Sequence, residues 1–318
     1  MLAKPVNRVR VLLLFIIILG VAAPCQANKQ VHSQHFSLIY SFKEEKKRSI
    51  YLSVDEGKTR IKVVDATNSD GYPAVAPSGK SVAFYGKYDK NKTWSIHTVD
   101  IDGNNVRRLT HEKNVWDSAP AWSPDGKTIA FAREYRGENG VWQEEIWLMN
   151  ADGTEQRQIK ALEGISPEFM QDGRILYQSK ASPSQIMIAN IDGSNIIQLT
   201  NDDSDNRMPK ISPDGSQIAY LSNRDGNQEV YIMRVDGSSH QRITNNDIQE
   251  WGPTWSTDGS KVFFSSENVH GFFDIYMANK DGTAIKRILN SATQVATVHR
   301  LDKRYLEKSL EARLLEKN

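Results

Sequence analysis

The chain has 318 residues, with 40 Lys and Arg against 39 Asp and Glu, a formal net charge of +1, and a single cysteine. That near-neutral balance excludes a nucleic-acid binder, which needs a basic face to neutralise phosphates. One cysteine excludes an internal disulfide framework.

Met1 to Ala27 reads as a secretory signal peptide. Lys4, Arg8 and Arg10 give a positive start, and the apolar run from Val11 to Ala23 is too short to span a bilayer comfortably. Cleavage is expected after Ala27, where Cys25 and Ala27 supply small residues. The alternatives are lipidation at Cys25, disfavoured by Pro24, and retention of the leader as an anchor. Cleavage removes three basic residues and the only cysteine, so the mature chain carries a formal −2 and no thiol chemistry. A periplasmic or secreted location follows, with no transmembrane span after leader removal.

Residues 28–34 are mostly polar and are expected to form a flexible N-terminus. The segment His35 to Phe42 then alternates as a strand, with Phe36, Leu38, Tyr40 and Phe42 on one face. Ser49 to Ser53 and Arg60 to Val64 follow as two more strands. Five fuller units come next, each with a first turn that ends in Gly and in three of them also carries Pro. These turns are Ala76-Pro77-Ser78-Gly79, Ser123-Pro124-Asp125-Gly126, Met170-Gln171-Asp172-Gly173, Ser212-Pro213-Asp214-Gly215 and Ser256-Thr257-Asp258-Gly259. Their glycines lie 47, 47, 42 and 44 residues apart. A second turn series, Asp102-Gly103, Asp152-Gly153, Asp192-Gly193, Asp236-Gly237 and Asp281-Gly282, keeps step with the first.

Four short strands per unit at this period specify an all-β fold, a β-propeller, because one four-stranded sheet cannot bury both faces until its neighbours stack on it. Five full units and one of three strands predict six blades over residues 35–300. The first unit lacks its opening strand, and Thr293 to His299 is expected to complete it and join the chain ends. Residues 301–318 place Leu301, Tyr305, Leu306, Leu310, Leu314 and Leu315 at helical spacing, which predicts a short amphipathic C-terminal helix.

The sequence Pro120-Ala121-Trp122-Ser123-Pro124-Asp125-Gly126, followed by Ile129-Ala130-Phe131 and preceded by Arg108-Leu109-Thr110, resembles the TolB-type WD40-like (PD40) propeller repeat. The likeness spans about residues 36 to 290. Such propellers serve as envelope scaffolds, as partner domains of peptidases and in some lyases. The resemblance implies fold more strongly than activity. Envelope members join the propeller to a preceding α/β domain, a place taken here by residues 28–34.

The segments that enter the innermost strands, ahead of Pro73, Pro120, Pro167, Pro209 and Pro253, are expected to be loops rimming one mouth of the channel. They carry Asp70 with Tyr72, Trp116 with Asp117, Glu163, Asp205 with Arg207, and Glu250 with Trp251. Carboxylates beside aromatics make a candidate binding ring for a cation or a basic peptide segment. The competing reading is that each acid caps its local turn.

Other chemistry is not signalled. No Gly-x-Ser-x-Gly elbow is present, and His97, His111, His240, His270 and His299 fall at unrelated places in their repeats. Asn223 to Asn227 lacks a full calcium loop and reads as a plain turn. The expectation is a monomeric, non-catalytic exported scaffold without a cofactor, binding an envelope protein or peptide at the channel mouth. The alternative is a glycan- or peptide-degrading enzyme that uses mouth carboxylates such as Asp117 and Glu163 as acid and base.

Overall fold

The computed structural model describes residues 36–44 and 47–298 and, beyond them, Leu301, Arg304 and Leu306. The leader, residues 28–34 and most of the expected C-terminal helix lie outside the described residues.

The first unit contains β1 (Leu38–Lys43), β2 (Arg48–Ser53) and β3 (Ile61–Val64). The second is β4 (Asp70–Val75), β5 (Ser81–Tyr88), β6 (Thr93–Asp100) and β7 (Arg107–Arg108). The third is β8 (Trp116–Trp122), β9 (Thr128–Arg136), β10 (Trp142–Asn150) and the first half of β11 (Arg157–Phe169). The second half of β11 opens the fourth unit, followed by β12 (Ile175–Ser179), β13 (Ile186–Ala189) and β14 (Ile197–Gln198). The fifth is β15 (Asn206–Ile211), β16 (Gln217–Ser222), β17 (Glu229–Arg234) and β18 (Gln241–Arg242). The sixth is β19 (Glu250–Trp255), β20 (Lys261–Glu267), β21 (Phe273–Asn279) and β22 (Lys286–Leu289).

The final strand, β23 (Ala292–Thr297), returns to the first unit and pairs antiparallel with β1, Leu38 opposite Thr297 and Phe42 opposite Ala292. This pairing supplies the missing innermost strand and covers an edge that would otherwise be open. The innermost strands β23, β4, β8, β11, β15 and β19 pack each against the next, and β19 packs back against β23. The ring is therefore closed.

Burial follows from that closure. Apolar side chains gather in six clusters, one at each junction between neighbouring units. Adjacent residues of one strand serve opposite junctions: Phe84 packs toward the first unit, while Ala83 and Tyr85 pack toward the third. This is why the second strands are apolar on both faces. Leu306 is buried and packs with Leu301 on the cluster between the first and second units. No helix among the described residues is long and apolar enough to cross a membrane.

The Ser-Pro-Asp-Gly turns are held by their own side chains. Asp125 Oδ1 accepts from Ser123 Oγ at 2.6 Å and from Lys127 N at 3.0 Å, and Ser123 Oγ accepts from Thr128 N at 2.9 Å. Gly126 sits at φ +71°, a region that costs glycine nothing. The same bonds recur at Ser212 with Asp214 and at Ser256 with Asp258.

Candidate functional site

Each innermost strand contains one residue in the left-handed region: Tyr72 (φ 50°), Ala119 (46°), Ser166 (54°), Met208 (50°), Gly252 (53°) and Gln294 (55°). The first five immediately precede a proline, which has no N–H to give to a ladder. Pairing slips there in every unit, as between Gly71 opposite Tyr85 and Ala74 opposite Ala83. The extra residue is a β-bulge, which re-aims the side chains around it. Here the residues at the bulges line a central cavity.

That cavity has a volume of about 490 Å³ and is walled by all six innermost strands, from the bulges to the turns at Pro77, Pro124 and Pro213. Tyr72 belongs to the second unit and Met208 to the fifth, on opposite sides of the ring. The Tyr72 hydroxyl nevertheless lies 3.7 Å from Met208 Sδ, so this contact crosses the axis at the level of the bulges. Trp251 and Tyr72 both pack against the cluster that contains Met208. Burial pushes the Tyr72 phenol well above its ordinary range.

Gln294 holds the corresponding place on β23, where no proline is present. Its Oε1 accepts from Ser41 Oγ at 2.9 Å and from the Tyr72 backbone N–H at 3.0 Å. One amide thus joins the two chain ends to the second unit. Farther along the wall, Trp122 Nε1 donates to Ala74 O at 3.1 Å and Trp255 Nε1 to Lys210 O at 3.0 Å, each reaching the preceding unit. The charged side chains of the wall, Glu168 and Lys210, are ion-paired with each other.

Of the nine residues expected at the channel mouth, only Tyr72 lines this cavity. Asp70, Trp116, Asp117, Arg207, Glu250 and Trp251 lie within strands, and Glu163 lies inside the continuous 13-residue β11. Apart from Asp205, which lies in the loop just ahead of β15, the expected loops are therefore the first residues of the inner strands, because their backbones already pair with the neighbouring strand.

Asp70 is fully buried and accepts from Ala66 N at 2.8 Å and Thr67 Oγ1 at 2.6 Å, with burial raising its pKa. Asp117 is fully buried in a two-bond ion pair with Arg133, at 2.7 and 2.9 Å. Glu250 accepts from Asn246 Nδ2 at 2.9 Å and Ser266 Oγ at 3.3 Å. Trp116 is half-buried, stacked on Trp94 with ring centroids 4.9 Å apart.

Glu163 and Asp205 stand one residue earlier in their repeats than these acids. The positions in register are Gly164 and Asn206, and a one-residue shift turns a side chain to the other face. Glu163 accordingly is exposed beside Lys180, and Asp205 accepts from Ser184 N at 2.9 Å and Arg207 Nη2 at 2.8 Å. Asp117 and Glu163 thus have separate partners, Arg133 and Lys180. Sequence reasoning missed Met208, Glu168, Lys210, Trp255 and Gln294. For the first four the available signal was their place beside or just beyond the repeated proline.

A closed ring of antiparallel units around a central cavity defines a β-propeller. The family model for the TolB beta propeller domain, PD40, matches residues 116–223 and 141–304, and the chain belongs to that family. Among solved structures it is similar to TolB from Acinetobacter baumannii, with a TM-score of 0.72 and 20% identity over 83% of this chain and 66% of that one. It is also similar to a putative TolB from Agrobacterium tumefaciens, with a TM-score of 0.60 and 22% identity over 80% of this chain and 89% of that one. The oligogalacturonate lyase of Vibrio parahaemolyticus gives a TM-score of 0.55 and 13% identity over 80% of this chain and 74% of that one. The chain thus spans 66% of the length of the Acinetobacter protein. Identities at this level show shared fold.

Proposed function

We propose that the protein is an exported propeller of a bacterial cell envelope that binds an extended segment of a partner protein in its central cavity. The contact between Tyr72 and Met208 carries this reading, since it bars the axis on the side where the inner strands begin. Entry is then from the side of the Pro77, Pro124 and Pro213 turns. A wall of small polar and apolar groups, with its one ion pair internally neutralised, suits a peptide backbone and modest side chains better than a highly charged ligand. The leader sequence and the likeness to TolB chains support the envelope location. On this reading the buried acids Asp70, Asp117 and Glu250 fix the strands that wall the cavity and do not touch the partner.

A photo-crosslinking residue placed at Thr257, on the cavity rim, should trap one envelope protein, and the same residue at Asp203, in the loop ahead of β15, should not. Filling the cavity with Thr254→Trp should abolish the adduct without changing the melting temperature. An adduct at Asp203 alone would put the partner on the opposite mouth and overturn the proposal. Turnover of a glycan panel by the purified protein would favour the enzyme.

A further inference from the structure

At two successive junctions the third strand of one unit and the first strand of the next meet through the same backbone bond. Asn206 N donates to Ser184 O at 2.8 Å, and Glu250 N donates to Gln228 O at 3.0 Å. The residues that follow, Gln185 and Glu229, are therefore equivalent, as are Asn206 and Glu250. At the first of these junctions the two side chains are amides and bond directly, Asn206 Nδ2 to Gln185 Oε1 at 3.1 Å. At the second, both positions carry carboxyl groups. The corresponding pairs elsewhere are Ser49 with Asp70, Ser95 with Asp117, Glu145 with Gly164, and Asp274 with Ala292, each with a single acid.

One residue bridges the two carboxyls. Asn246 holds both, its backbone N–H on Glu229 Oε1 and its Nδ2 on Glu250 Oε1, each at 2.9 Å. Arg242 Nη2 donates to Glu229 Oε1 at 3.0 Å, and Ser266 Oγ to Glu250 Oε1 at 3.3 Å. Every donor sits on an Oε1. Each Oε2 is sealed from water and receives no hydrogen bond, in residues that are 0% and 1% exposed.

We propose that Glu229 and Glu250 share one proton, an acid–carboxylate pair standing where the preceding junction has an amide pair, and that this proton clamps the fifth unit to the sixth. Two ionised carboxylates held by one residue away from water are strongly unfavourable, while one proton between them makes a charge-assisted hydrogen bond. The charged groups around the pair settle which partner is ionised. Arg242, the cation in contact, reaches Glu229 and also Asp225 at 3.1 Å, so the negative charge rests on Glu229 and the proton on Glu250. Burial pushes the Glu250 carboxyl up to about 7, against the lowering hydrogen bonds from Asn246 and Ser266, and the charge of Glu229 adds a smaller push in the same direction. Among the described residues no group of three or more acidic, His or Cys side chains suited to a metal ion forms.

The sign follows from proton binding. Glu250 holds its proton in the folded chain above its ordinary 4.5, so stability falls as pH rises from that value through about 7. Because β19 also carries Gly252 to Trp255 of the cavity wall, the loosened junction is part of the binding site.

The test compares the full chain with Glu250→Gln and Glu229→Gln by calorimetry in chelator-treated buffer between about pH 5 and about pH 9. The unmodified chain should lose on the order of 5 °C more in melting temperature across that range than Glu250→Gln. Infrared difference spectra should show a protonated buried carboxyl that titrates near neutrality, is absent from Glu250→Gln and titrates at lower pH in Glu229→Gln. That last comparison stands even if Glu250→Gln fails to fold. Parallel pH profiles, or no protonated carboxyl band, would overturn the proposal. So would calcium or magnesium raising the melting temperature of the unmodified chain but not of Glu250→Gln, since a cation would then hold the place of the proton.

Discussion

His97 illustrates how a polar residue is spent on structure in this ring. Its imidazole lies between Phe84 and Tyr88, with centroids 5.2 and 5.7 Å away. Ser95 O, a carbonyl, can only accept, so His97 Nδ1 carries the proton at 2.9 Å, and Nε2 accepts from the Tyr88 hydroxyl at 2.6 Å. Both nitrogens are satisfied in the neutral form, and burial pushes the pKa down to about 4. The unfolded chain binds the proton near 6.5 and the folded chain only near 4, so stability is lost as pH falls through that window, by at most about 3 kcal/mol. His97→Phe should flatten this acid limb relative to the unmodified chain in denaturant titrations at successive pH values. At this scale the sequence was only partly legible. Its lack of repeat partners makes His97 read as a solvent or edge residue, whereas it is buried, and Asp117 could not be placed, because its partner Arg133 lies 16 residues away on the next strand.

Among the elements, β11 departs most from its counterparts. It runs unbroken from the outer edge of the third unit into the inner wall of the fourth, pairing Glu145 with Glu163 and then Gly164 with Ser179. The crossing requires Gly164, since a Cβ there would lie 2.1 Å from Gln178 O. Gly164→Ala should therefore cost about 3 kcal/mol or more, read as a shift in the denaturation midpoint. The turn punctuation made the strands themselves legible, because Pro, Asp and Gly have fixed backbone consequences. The starts of the inner strands were misread as loops. Polar residues before a proline usually mark a loop, and here they are buried by side-chain bonds to neighbouring turns and strands that local sequence does not reveal.

At the scale of the whole molecule, one strand decides whether the ring exists. β23 covers the edge of β1, packs against β19 and β4, and brings Gln294 to Tyr72. A chain ending at Ser291 should lose its single cooperative melting transition and bind an apolar dye, measured by calorimetry and fluorescence, because both the β1 edge and two junction clusters would be opened. The sequence by itself determined the repeat, the four strands of each full unit and the need for a strand from the far end of the chain, since periodic turns and two-sided apolar strands permit few arrangements. It could not determine where the cavity lies. The bulges before the prolines and the reach of Tyr72 across the axis arise only when six strands converge, and that convergence sets which side chains face one another.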